Sequence, residues 1–151
     1  MPNTRKAVRI LMADDDEDDR ELCRDAIEES RVLNTVDFVT DGIELLDYLH
    51  NRGDFTDKEK YLRPDLILLD LNMPRMDGRE ALKEIKADPA LRRIPVVILT
   101  TSKAEEDLLS GYDLGAASYI TKPVTFTELV GLMRALGNYW VEFVTLPGSD
   151  H

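Results

Sequence analysis

Short continuous apolar runs alternate along this chain with stretches where apolar residues return every three or four positions. That alternation constrains the fold more than any other feature. Val8-Arg9-Ile10-Leu11-Met12-Ala13, Leu66-Ile67-Leu68-Leu69 and Val96-Val97-Ile98-Leu99 suit strands buried on both faces of a parallel sheet. Val36-Asp37-Phe38-Val39 and Ala117-Ser118-Tyr119-Ile120 are weaker strand candidates, and Pro64 and Pro95 stop any helix from running into the third and fourth runs. Between the runs, Leu22, Ala26 and Ile27 mark one face of a first helix, Ile43, Leu46 and Leu49 a second, and Leu82 and Ile85 a third. Leu108, Leu109 and Tyr112 suggest a fourth, and Leu129, Met133, Leu136 and Trp140 a fifth. Asp41-x-x-Glu44, Ser102-x-x-Glu105 and Thr125-x-x-Glu128 have the form of capping boxes at helix starts. The order βαβαβαβαβα predicts an α/β fold, a doubly wound parallel sheet with helices on both faces. Asn51 to Arg63 is polar and charged and is expected to be a surface loop.

A chain of 151 residues that is 43% hydrophobic has the size of one globular domain with a real core. No run approaches the ~20 apolar residues of a membrane span, and MPNTRKAVRI lacks the apolar stretch of a signal peptide. Cys23 is the single cysteine, which rules out an internal disulfide and suits a cytoplasmic, reducing setting. It is expected to be a small core residue of the first helix. His50 and His151 are the two histidines, so no Cys/His zinc site can be assembled, and His50 is expected at the surface. A net charge of −11 opposes binding to nucleic acid but not to a hard cation.

The polar residues fall where the apolar runs stop: Asp14-Asp15-Asp16, Asp70, Thr100-Thr101 and Thr121-Lys122-Pro123. These positions lie at the carboxyl ends of predicted strands, which share the ligand-binding edge of an open parallel sheet. Crowded carboxylates repel one another unless a cation is present. Oxygen ligands of this kind suit Mg²⁺, which often completes its shell with a phosphate oxygen. Lysine and threonine would donate to that phosphate, and a carboxylate can attack phosphorus. The set points to Mg²⁺-assisted phosphoryl transfer onto an aspartate. Asp16 through Asp19 read as solvated residues capping the first helix.

Asp14-Asp15, Asp70-Leu71-Asn72-Met73-Pro74 through Asp77-Gly78, Thr100, and Tyr119-x-x-Lys122-Pro123 resemble the receiver domain of two-component response regulators, over roughly Val8 to Leu136. The resemblance implies a flavodoxin-like (βα)5 fold with strand order 2-1-3-4-5. It makes Asp70 the phosphoacceptor, Asp15 a direct metal ligand, Asp14 an acidic neighbour acting through metal-bound water, and Asn72 a donor of its backbone carbonyl. Thr100 would hydrogen-bond the phosphoryl group, Lys122 would pair with it, and Tyr119 would change rotamer on activation. Two registers stay open: Asp16 could join the carboxylates or cap the helix, and Thr101 could serve in place of Thr100. Mg²⁺ is the implied ion, with Mn²⁺ or Ca²⁺ as substitutes, and a histidine kinase the implied donor.

Residues 1–136 would form the receiver and 137–151 an extension continuing the last helix, with no output domain. That extension, the Asn51–Arg63 loop, Thr100-Thr101-Ser102 and Ala104-Glu105-Glu106-Asp107 are similar to single-domain regulators associated with phytochrome-type photoreceptor kinases. A homodimer through the fourth helix, fifth strand, fifth helix and extension is expected. Two rivals are a haloacid-dehalogenase-like phosphohydrolase, which wants an acid where this chain has Asn72, and an unphosphorylated receiver-like adaptor.

Overall fold

In the computed structural model, which describes residues 8–30, 34–110, 115–123 and 125–139, strands and helices alternate in the expected order. They are β1 (Val8–Ala13), α1 (Glu17–Ser30), β2 (Asn34–Val39), α2 (Gly42–Leu49), β3 (Leu66–Asp70) and α3 (Gly78–Ala87). Then come β4 (Val96–Thr100), α4 (Lys103–Ser110), β5 (Ser118–Thr121) and α5 (Phe126–Tyr139). The strands form one parallel sheet in the order β2-β1-β3-β4-β5, the flavodoxin-like order that the receiver resemblance implies.

The period of two along each strand divides the core. Leu11, Ala13, Ile67, Leu69, Val96 and Ile98 pack on one face with residues of α2, α3 and α4, including Leu45, Leu82, Ile85 and Leu109. Ile10, Met12, Leu66, Leu68, Val97 and Leu99 pack on the other with Cys23, Ala26 and Ile27 of α1 and Leu129, Val130 and Met133 of α5. β3 and β4 are buried along their whole length, which is why they read as unbroken apolar runs. β5 is an edge strand and half-exposed, so its signal is weaker. Trimming Ile67 or Leu68 to Ala would cost about 2–5 kcal/mol through lost burial and the cavity left behind.

The helix starts are capped where expected, with one variation. Asp41 Oδ1 accepts from Glu44 N at 2.8 Å, Ser102 Oγ from Glu105 N at 3.1 Å, and Thr125 Oγ1 from Glu128 N at 3.1 Å. The return bonds of the first two boxes reach one residue further out than in a regular capping box. Glu44 accepts from Thr40 N at 2.7 Å and Glu105 from Thr101 N at 2.9 Å. Asp77 caps α3 in the same way, through Glu80 N at 3.0 Å.

One expectation gains detail and another is corrected. The segment from Asn51 to Arg63 is the surface loop expected, and it also contains a 3-10 turn (Gly53–Phe55) and an aromatic cluster. Phe55 and Tyr61 pack edge to face, Tyr61 meets Tyr48 of α2 in the same way, and Phe55 lies tilted against Tyr48, with ring centroids 5.1–5.5 Å apart. Asn51, at φ +53°, donates its side-chain amide to the carbonyls of Phe55 and Tyr61 at 3.1 Å each and so closes the loop on itself. In α4, Leu109 is buried but Leu108 is 59% exposed, so the two do not share a buried face. Tyr112 lies outside the described residues.

α5 continues past position 136 to Tyr139, while Trp140 and the rest of the extension lie outside the described residues. Cys23 is buried in the core as expected, and burial pushes its thiol up to about 12. His50 caps the end of α2, exposed, with Nε2 3.4 Å from Asp88. Among the described residues, no helix is long and apolar enough to cross a membrane.

Candidate functional site

Parallel pairing of Ala13 with Leu69 brings the next residues of β1 and β3, Asp14 and Asp70, side by side at the carboxyl edge. This is also where strand order reverses, the usual ligand position in an open α/β sheet. Asp14 is fully buried, Asp70 is 7% exposed, and Asp15 faces solvent. Each of the three offers a carboxylate oxygen, and those oxygens lie within 4.8 Å of one another.

Lys122 enters from the next-but-one strand. Its backbone N–H donates to Thr100 O at 2.8 Å, which continues the β4–β5 ladder and aims the residue at the same edge. The ammonium donates to Asp70 Oδ2 at 3.0 Å and to Asp19 Oδ2 at 2.6 Å. Asp14 Oδ2 is 2.8 Å from Nζ, so the same ammonium also pairs with this buried carboxylate. The other Asp14 oxygen accepts from Asp16 N at 2.9 Å.

Burial dominates the Asp14 carboxyl and lifts it to about 6, against the opposing pull of Lys122 and the Asp16 amide. Burial also works against the Lys122 ammonium, but the carboxylates of Asp14, Asp19 and Asp70 outweigh it and hold the group above its ordinary range. One ammonium is shared among three carboxylates and leaves the acidic cluster under-neutralised. An oxygen-only set of three carboxylates within 4.8 Å of one another fits a hard divalent cation such as Mg²⁺ or Mn²⁺.

The remaining expected residues fall around this cluster. Asn72 follows Asp70 by two, is exposed, and donates its backbone N–H to Asp70 Oδ1 at 3.2 Å. Thr100 ends β4 and is fully buried, with its hydroxyl directed to the carbonyls of Ser102 (3.2 Å) and Ile120 (3.4 Å). The Thr101 hydroxyl is bound to Glu105 at 3.1 Å, at the start of α4. Asp16 caps α1, accepting from Asp18 N at 2.9 Å and Asp19 N at 3.3 Å. Tyr119, in β5, packs against the α2–α3–α4 face of the core.

Two features escape a reading of the sequence. Asp19, read as a solvated cap, reaches Lys122. The second is a clamp on the loop after β3. Arg75, at φ +63°, donates from Nε to Asp41 Oδ2 at 2.7 Å, and Gly42 N donates to Met76 O at 3.0 Å. A Cβ on Gly42 would stand 2.6 Å from that carbonyl oxygen, so only glycine allows the approach. Gly78 does the same at the other end of the loop, where a Cβ would meet Asp70 O at 2.7 Å.

Comparison with known proteins gives the family and the fold. Residues 10–134 match the family model of the response regulator receiver domain. Response regulator Rcp1 of Synechocystis sp. is 39% identical over 140 residues, 93% of each chain. The crystal structure of the phosphorylated cyanobacterial phytochrome response regulator RcpA is 41% identical with a TM-score of 0.77, covering 91% of this chain and 96% of that one. The Mn²⁺-bound form of Rcp1 gives a TM-score of 0.75 at 38% identity, over 91% of this chain and 97% of that one.

Proposed function

The chain belongs to the response regulator receiver family of two-component signalling, and from that membership we propose that it accepts a phosphoryl group from a histidine kinase on Asp70. The observation that carries the assignment is the placement of Asp70 at the end of β3, beside Asp14 and Asp15, with the Lys122 ammonium 3.0 Å from its carboxylate. A carboxylate oxygen of Asp70 attacks phosphorus while the bond to the kinase imidazole breaks, and the electron pair leaves with the imidazole nitrogen. Asp14, Asp15, Asp70 and the backbone carbonyl of Asn72 would hold Mg²⁺, which offsets charge on the carboxylate and the transferring group. Lys122 pairs with the new negative charge, and Thr100 donates its hydroxyl once it leaves the Ser102 and Ile120 carbonyls. Tyr119 reads the change from the neighbouring strand. Receiver family members are signalling proteins, and this one would assist its own phosphorylation and dephosphorylation without turning over a separate substrate.

The likeness to RcpA and Rcp1 over more than nine-tenths of the chain supports a phytochrome-type kinase as the partner. A homodimer through α4, β5, α5 and residues 137–151 is supported by exposed Leu108 on α4 and Phe126 on α5, which flank the half-exposed β5. The receiver proper would then be residues 1–136. Acetyl phosphate with Mg²⁺ should add one phosphoryl group, seen by intact mass, and Asp70→Asn should abolish it. Equal labelling of Asp70→Asn would refute the assignment.

A further inference from the structure

We propose that Asp19 is a positioning residue for this phosphoryl transfer, holding the Lys122 ammonium beside Asp70 while Asp14 is engaged elsewhere. The proposal rests on the receiver reading above and adds a residue to it. Lys122 makes directed hydrogen bonds to two carboxylates, and the shorter goes to Asp19 at 2.6 Å, across 103 positions of sequence. Asp14, its third neighbour at 2.8 Å, belongs with Asp15 and Asp70 to the oxygen cluster a cation would draw on, whereas Asp19 does not. Asp70 is consumed by the reaction: a P–O bond forms at its carboxylate as the donor's bond to phosphorus breaks and the donor's leaving group departs with the electron pair. Asp19 is therefore the partner that Lys122 keeps throughout.

The anchor is itself held. Asp19 sits in the first turn of α1, its backbone N–H bound to Asp16 Oδ1 at 3.3 Å, and the helix is fixed by Cys23, Ala26 and Ile27 in the core. Its side chain is 35% exposed, placed at the rim of the site. A lysine side chain has a flexible four-carbon stem and loses rotamer freedom whenever it is fixed. Holding the ammonium before the phosphoryl donor arrives removes that cost from the transfer step. One N–H bound to Asp19 leaves two for phosphoryl oxygens.

Two measurements test this. In the metal-free protein, the ¹H–¹⁵N signal of the Lys122 ammonium should be protected from solvent exchange in the wild type. It should persist in Asp19→Asn, whose amide oxygen still accepts, and disappear in Asp19→Ala. At saturating Mg²⁺, phosphorylation by acetyl phosphate should slow roughly tenfold in Asp19→Ala, the order expected for losing one charge-assisted hydrogen bond. It should return to within about twofold of the wild type in Asp19→Asn. Asp18→Ala is the control, because Asp18 shares the first turn of α1 and its helix dipole without reaching Lys122. Asp19→Ala behaving as wild type in either measurement would overturn the proposal. So would an Asp19→Asn as slow as Asp19→Ala, since charge alone would then explain the effect, or an equal loss in Asp18→Ala. Failure of the receiver reading is separate: it would appear as labelling that survives Asp70→Asn, with the ammonium signal unchanged.

Discussion

Asp14 and Asp41 occupy similar places and are buried to similar degrees, at 0% and 4% exposure, yet they serve opposite ends. Each lies just past the end of a strand, β1 for Asp14 and β2 for Asp41, at the same edge of the sheet. Asp41 is fully engaged. It accepts from the Glu44 amide at 2.8 Å and from Arg75 at 2.7 Å, and although burial favours its neutral form, these partners hold its carboxyl below the ordinary range. Asp14 shares one ammonium with two other carboxylates, and burial lifts it to about 6. A buried carboxylate with donors of its own ties two loops together, whereas one that shares its cation in a crowded acidic cluster keeps a raised carboxyl.

The largest difference should appear on adding metal. Mg²⁺ at a hundredfold excess over its Kd should stabilise the fold by about 2.7 kcal/mol, a rise of roughly 5–10 °C in melting temperature for a chain of this size. Asp15→Asn should remove most of that response. The response should also depend on pH with a definite sign. With the Asp14 carboxyl raised from 3.8 to about 6, the native metal-free state binds more protons than the unfolded state between those values. Its contribution therefore becomes destabilising as pH rises through that window and is fully so above about 6. Metal should gain more at pH 7 than at pH 5, where protons compete for the same oxygens. Thermal melts at both pH values, with and without Mg²⁺, check this. An equal response at the two would separate Asp14 from the metal.

Asp41→Ala comes next in size. It removes the α2 cap and the partner of Arg75, and should cost about 1–2 kcal/mol. Because Asp41 touches the loop after β3 and not the carboxylate cluster, the cost should be the same in metal-free and Mg²⁺-loaded protein. Urea denaturation with and without Mg²⁺ measures it. A cost that grows in the loaded protein would show that the clamp also tightens the metal site.

Asp70 was legible in the sequence because a charge that ends a run such as Leu66–Leu69 stands out against its apolar surroundings. The β3 and β4 runs were legible for a related reason, since strands covered on both faces carry no polar alternation. Asp41 was legible as the cap of α2, but its pairing with Arg75 and that of Asp19 with Lys122 were not, because acidic residues near helix starts are ordinary caps and long-range partners depend on the folded loops. The aromatic cluster of the 51–63 loop was hidden by its polar composition, with Tyr48, Phe55 and Tyr61 spaced too irregularly to show a period. Leu108 and Leu109 marked α4 in the sequence but not which of the two is buried: Leu109 enters the core and Leu108 is on the open side of the helix.

The smallest effect isolates the ion pair of the clamp from its backbone. Arg75→Gln keeps the side chain as far as the nitrogen that reaches Asp41, and the left-handed position at φ +63°, but removes the rest of the guanidinium and its charge. The Arg75 side chain is 58% exposed, so solvent screens the pair, and the melting temperature should fall by roughly 1–3 °C at neutral pH. The pH dependence has the opposite sign to that of Asp14. A carboxyl held below its unfolded value contributes stability that is fully present above 3.8 and is lost as pH falls through the lowered folded value. The gap between wild type and Arg75→Gln should thus stay constant from pH 7 to about pH 5 and then close as Asp41 takes up its proton in more acid solution. In the variant, the Asp41 carboxyl should titrate at a higher pH than in the wild type, which the chemical shift of its carboxyl carbon reports directly. A gap that persists unchanged to pH 3, with no movement of that titration, would place the effect in the loop backbone and leave Asp41 held by its helix-capping bonds alone.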